Sequence, residues 1–139
     1  MIAYFDTSSI VPLLIDEPGS ETAKRLWDEA ALIISTRLLY AECRSALAMS
    51  ARLERLNRRR LRTAVELFND LYAQIDVVEI SDHVVRRAAE FSEIHGLRGY
   101  DAVHLAAAET IGDDDLVLVA GDGPLCRAGE AIGMAIART

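Results

Sequence analysis

The amino-acid sequence predicts an α/β protein, a sandwich built around a short parallel sheet. Three observations carry this. Short, continuously apolar, β-branched runs recur along the chain, as expected of parallel strands covered on both faces. Longer stretches with helical spacing and capping signals separate them. No repeat, low-complexity tract or linker interrupts the alternation, and strands alternating with helices fold as helices packed over a parallel sheet.

The elements follow in order. Residues 2–5 read as the first strand, and Asp6 stands at its carboxyl end and at a helix start. Gly19 and Ser20 open a helix running to about residue 31, and residues 32–35 form the second strand. Thr36 caps a long helix to about residue 55, and Asn57 caps another to about residue 74. Residues 77–80 make the third strand; Ser81 or Asp82 caps the next helix, which stops at His95-Gly96. A helix over 101–111 closes at Gly112. The fourth strand covers 116–119, a helix covers 123–132, and 134–137 is a short last strand.

At 139 residues, 51% apolar and 27% charged, the chain fits one folded domain, residues 1–139. No apolar run approaches the ~20 residues that span a bilayer. No basic-then-apolar leader precedes the first strand, so a cytoplasmic location is expected. Cys43 and Cys126 make neither a disulfide framework nor a zinc motif and read as buried, reduced thiols. The net charge of −7 argues against a nucleic-acid binder unless several acids hold cations, which invert the local field.

Four acids are candidates for such a role. Asp6 follows the first strand, and Asp122, between Gly121 and Gly123, repeats that placement after the fourth. Functional groups of parallel sheets gather at these carboxyl ends. The ordinary alternatives are an N-cap for Asp6 and a turn for Asp122. Glu42 falls among Leu38, Leu39, Ala46, Met49 and Leu53, read as one apolar stripe. A carboxylate there is costly unless paired or coordinating; the structural alternative is an ion pair with Arg44 or Arg98. Asp101 opens an alanine-rich helix on the side of Leu105 and Ala108, where it would also serve as an N-cap. His104, one turn on, reads as a packed core histidine with one satisfied nitrogen.

Clustered carboxylates repel unless cations compensate. Mg²⁺ or Mn²⁺ is the natural partner, being hard and oxygen-preferring. Such a site suits in-line cleavage of a phosphodiester without a histidine base or covalent nucleophile.

Three segments then resemble a known family: Tyr4-Phe5-Asp6-Thr7-Ser8-Ser9, Tyr40-Ala41-Glu42-Cys43-Arg44-Ser45-Ala46-Leu47, and Leu97-Arg98-Gly99-Tyr100-Asp101-Ala102-Val103-His104-Leu105-Ala106. In order and separation they resemble the PIN-domain nucleases, specifically the VapC-type toxins of toxin–antitoxin pairs. The resemblance implies a three-layer α/β/α sandwich and Mg²⁺- or Mn²⁺-dependent endoribonuclease activity. It implies metal ligands at Asp6, Glu42, Asp101 and Asp122, a homodimer, and a cognate antitoxin whose tail occupies the active-site groove. One departure stands out. The family often has Thr or Ser two residues before the fourth acid, where this chain has Ala120. Thr7 or Ser8 then becomes the candidate source of that hydroxyl.

Arg44 and Arg98, near the acids in sequence, are candidates for contacting phosphate or an antitoxin carboxylate. Arg52, Arg55, Arg58, Arg59, Arg60 and Arg62 are the candidate basic surface, with a merely solvated face as the alternative. Other readings fit less well. An aspartyl-phosphate phosphatase wants a second Asp where Ser8 stands. A receiver domain needs a lysine after a late strand, and the sole lysine is Lys24. A catalytically weak PIN-fold module that mainly binds an antitoxin is countered by retention of all four acids.

Overall fold

The computed structural model describes residues 1–139. Five strands, β1 (Ile2–Phe5), β2 (Leu32–Thr36), β3 (Asp76–Val78), β4 (Leu116–Ala120) and β5 (Ala135–Arg138), form one sheet in the order β3-β2-β1-β4-β5. All pairings are parallel. Seven helices complete the chain: α1 (Thr7–Leu14), α2 (Ser20–Glu29), α3 (Leu38–Arg52), α4 (Arg58–Tyr72), α5 (Asp82–His95), α6 (Gly99–Ile111) and α7 (Gly123–Ala131). The fold is the expected three-layer α/β/α sandwich.

The strand pleat builds two cores, because successive side chains face opposite ways. Ala3, Phe5, Ile33 and Val119 meet α1 to α4 through Ile10, Leu26, Leu39, Cys43 and Phe68. Tyr4, Ile34, Leu118 and Ala120 meet α5 to α7 through Val84, Phe91, Leu105 and Leu125. Removing Phe5, Phe68 or Phe91 from water stabilises by about 1.5–3 kcal/mol each. In the middle of the sheet β1 pairs with β2 on one side and β4 on the other. Chain order reverses there, which opens a crevice at the carboxyl ends of these strands.

Several local expectations change. The helix start expected at Asp6 opens α1, whose extent to Leu14 is obscured in the sequence by Pro12 and three hydroxyl residues. Thr36 does not cap α3. It ends β2, its hydroxyl donating to the Val78 carbonyl at 3.2 Å, and α3 begins after Arg37 without a side-chain cap. The buried line of α3 is Leu39, Cys43 and Leu47, whereas Met49 and Leu53 face water. Glu42 therefore borders the buried stripe instead of lying in its middle. Helix α6 starts at Gly99, two residues early, so Asp101 lies inside its first turn and is not its N-cap.

The turn between α3 and α4 matters below. Glu54 N–H bonds Ala51 O at 3.0 Å and Arg55 N–H bonds Ser50 O at 2.9 Å. This is a Schellman closure whose left-handed position, normally glycine, is Glu54 at φ 60°. Asn57 then caps α4, accepting from Arg60 N–H at 2.8 Å.

Candidate active site

Four side chains from three layers meet at the sheet's carboxyl edge. A cleft of about 380 Å³ is lined by Asp6, Glu42, Asp101 and Asp122, with Thr7, Ser8 and Arg98 beside them. All four predicted acids are thus brought together, although 116 residues separate Asp6 from Asp122.

Asp6 is 3% exposed and does two things. One carboxylate oxygen accepts from Ser8 N–H at 3.1 Å, so it does cap α1. The same oxygen accepts from the Ser8 hydroxyl at 2.6 Å. Ser8 Oγ in turn accepts from Gly121 N–H at 2.8 Å, tying the end of β1 to the end of β4. Ser8 therefore places a hydroxyl at the end of β4, on the backbone N–H that follows Ala120. Asp122 precedes α7 but makes no capping bond, so its carboxylate is left to the cleft.

Glu42 pairs with neither Arg44 nor Arg98. Its Oε1 accepts from the Thr7 hydroxyl at 3.0 Å and lies 2.5 Å from His104 Nε2. His104 is fully buried, and both its nitrogens are engaged, one more than expected: Nδ1 lies 3.0 Å from the Tyr4 hydroxyl. Nε2 is also 3.4 Å from Asp6 Oδ1. Since a carboxylate only accepts, Nε2 carries the proton shared with Glu42. His104 thus joins the acid after β1 to the acid on α3, and Tyr4 holds the ring from behind.

The electrostatics follow from this crowding. Burial disfavours the His104 cation, but Asp6 and Glu42 outweigh it and raise the imidazole pKa above its usual value. Burial, then Asp101 and Asp6, push the Asp122 carboxyl up. Burial, then Asp6, pushes the Tyr4 phenol well up, so it stays protonated. Arg98 supplies the positive charge, its Nε 3.0 Å from Asp101 and its Nη2 3.8 Å from Asp122. Its side chain is 82% exposed. Arg44 behaves differently: its guanidinium donates to the Tyr40 hydroxyl at 2.9 Å and lies outside the cleft.

Sequence reasoning missed Glu17, a fifth acid on the cleft wall, and Tyr4 as a partner of the site. Glu17 lies in a loop with no periodicity to flag it. Tyr4 carried a signal, a polar tip in an otherwise apolar strand. The donors facing the cleft are oxygens, the set a small hard divalent cation takes. No three acids or histidines enclose one point as the side chains stand.

The model of the PIN domain family matches residues 3–130. Ribonuclease VapC45 of Mycobacterium tuberculosis is 40% identical over 136 residues, covering 98% of this chain and 94% of that one. Among solved structures, M. tuberculosis VapC20, described as a Sarcin-Ricin loop cleaving toxin, superposes with TM-score 0.73 at 21% identity over 99% of both chains. A toxin–antitoxin complex from Klebsiella pneumoniae gives 0.64 at 17% identity, over 97% of this chain and 95% of that one.

Proposed function

The chain belongs to the PIN-domain family, and from that premise we propose that it is a Mg²⁺- or Mn²⁺-dependent endoribonuclease, the toxin of a toxin–antitoxin pair. The observation that carries this is the convergence of Asp6, Glu42, Asp101 and Asp122 on one cleft at the switch point of the sheet. The 40% identity to a named ribonuclease supports RNA as the substrate.

The residues fit a divalent cation. Their oxygens are hard donors, and burial first, then the neighbouring Asp101 and Asp6 carboxylates, raise the Asp122 pKa despite Arg98. When bound, such an ion supplies activated water and neutralises phosphate charge. Asp6, Asp101, Glu42 and Asp122 are the proposed ligands. His104 and Thr7 orient Glu42, Ser8 orients Asp6, and the exposed Arg98 is free to turn from the carboxylates to a phosphate. Val85 and Tyr100, exposed beside one groove of α5 and α6, support a homodimer through these helices. A cognate antitoxin that reaches the cleft would silence the enzyme.

The test is RNA cleavage by the purified protein. Mg²⁺ or Mn²⁺ should be required, EDTA should stop the reaction, and Asp101→Asn or Asp6→Asn should abolish it. Undiminished cleavage in EDTA, or by Asp101→Asn, would refute the mechanism. Wild-type expression should arrest growth unless a partner is co-expressed; harmless expression of an active nuclease would refute the toxin role.

A further inference from the structure

Charge is segregated in this chain. Residues 52–62 hold six arginines and one acid, a net +5, whereas the whole chain carries −7, leaving −12 for the rest. The six are Arg52 and Arg55, closing α3, and Arg58, Arg59, Arg60 and Arg62, opening α4; all are exposed. Arg25, Arg37, Arg86, Arg87 and Arg98 are each tied to a carboxylate. The six at the elbow are tied to none.

The position of Arg58, Arg59 and Arg60 runs against local electrostatics. The amino end of a helix is the positive end of its dipole and favours acids. The first turn of α4 holds no acid and three consecutive arginines, Arg58 to Arg60. The α4 side of the elbow therefore concentrates unpaired cations where the helix itself disfavours them, while Arg52 and Arg55 add to them from the end of α3.

The elbow also lies within reach of the acid cleft. Glu42 and Arg52 are ten residues apart on α3, about 15 Å along the axis, a few nucleotides of a strand. Arg59 and Arg60 edge a groove of about 650 Å³ that meets Leu14 and Ile15 at the far end of α1. Helix α1 begins in the acid cleft at Thr7.

Taking the ribonuclease reading as its basis, we propose that the α3–α4 elbow is the surface that grips the phosphate backbone of the RNA, outside the cleft where it is cut. Arginine forks bind phosphate oxygens without reading sequence.

The test uses a labelled 24-nucleotide RNA hairpin with a single-stranded tail. Binding is followed by fluorescence anisotropy in EDTA, so that no cleavage intervenes, across a salt series. Arg58→Gln/Arg59→Gln/Arg60→Gln should weaken binding roughly tenfold or more at low salt and lower the slope of log affinity against log salt by about 2–3. Its melting temperature should equal or exceed wild type, since cations leave the dipole's positive end. Arg52→Gln/Arg55→Gln, away from the α4 cap, should weaken binding in the same sense. The charge-matched control Lys24→Gln/Arg25→Gln/Arg86→Gln alters ion-paired residues and should do far less.

Unchanged affinity and slope in both arginine variants would overturn the proposal, as would equal losses in the control. Unchanged RNA binding with lost binding of a polyglutamate peptide would assign the elbow to an acidic protein segment and also overturn it. Arginine-dependent binding without cleavage in Mn²⁺ would uphold the surface and defeat the nuclease reading alone.

Discussion

Tyr4→Phe removes one oxygen atom and leaves the ring that packs between β2 and β4. The lost group is the hydroxyl 3.0 Å from His104 Nδ1, in a pair with no solvent access. No water can replace it, so Nδ1 becomes a buried polar atom without a partner. That costs about 1–3 kcal/mol, where an exposed hydrogen bond would cost a fraction of that. A chain of 139 residues unfolds with an entropy near 0.3 kcal/mol per degree, so the melting temperature should fall by roughly 3–10 °C. The effect should reach the site, because His104 is the common partner of Glu42 and Asp6. Partners that orient metal-binding side chains are typically worth 10–100-fold in affinity or activity. The assays are differential scanning calorimetry in EDTA and a Mn²⁺ titration by isothermal calorimetry. An unchanged melting temperature together with unchanged Mn²⁺ affinity would refute the reasoning, and with it the claim that Tyr4 anchors the ring.

Two further outcomes can be checked. Arg87 joins α5 to α6, its Nε and Nη2 donating to Glu109 at 2.7 and 2.8 Å. The Arg87 hydrogen bond chiefly lowers the Glu109 pKa from 4.5, so its stabilisation is present above that unfolded value and is lost as pH falls through the lower folded one. Glu109→Gln should therefore destabilise at pH 7 and converge with wild type below pH 4.5 in urea titrations; an equal deficit at pH 3 and pH 7 would contradict the assignment. Glu54→Gly places glycine at the left-handed turn position of the elbow and should stabilise by about 1 kcal/mol, or roughly 3 °C. A lower melting temperature would show that Glu54 is held there by more than its backbone.

The sheet was legible because its signal is local. Strands buried on both faces must be largely apolar, and β1, β4 and the Leu32-Ile33-Ile34 run of β2 are. Their carboxyl ends then located Asp6 and Asp122 from one topological rule. Glu42 was identified through a partly mistaken stripe: Met49 and Leu53 are apolar but exposed beside the elbow, and letters alone do not report exposure. The carboxylate still bordered buried residues, so the inference that it needed a partner held, while the arginines named for it did not. Its actual partner, His104, is 62 residues away, and Tyr4 is 100 residues from that histidine. No window along the chain registers such pairings. The start of helix α1 was legible at Asp6, which caps it, but its extent was not, because Thr7, Ser8, Ser9 and Pro12 are poor helix formers and its burial rests on Ile10.

The origin of the acid cleft in both halves of the chain sets when it can exist. Asp6 and Glu42 belong to the half of the chain that is synthesised first, whereas Asp101 and Asp122 come from α6 and the end of β4. β4 lies beside β1 in the finished sheet, so the central pairing waits for nearly the whole chain. A nascent polypeptide still on the ribosome can dock α1 to α4 on β1 and β2, but it holds only half of the carboxylates. The cleft therefore assembles only after β4 has been made, and a chain that stops before Asp122 lacks one of its four acids.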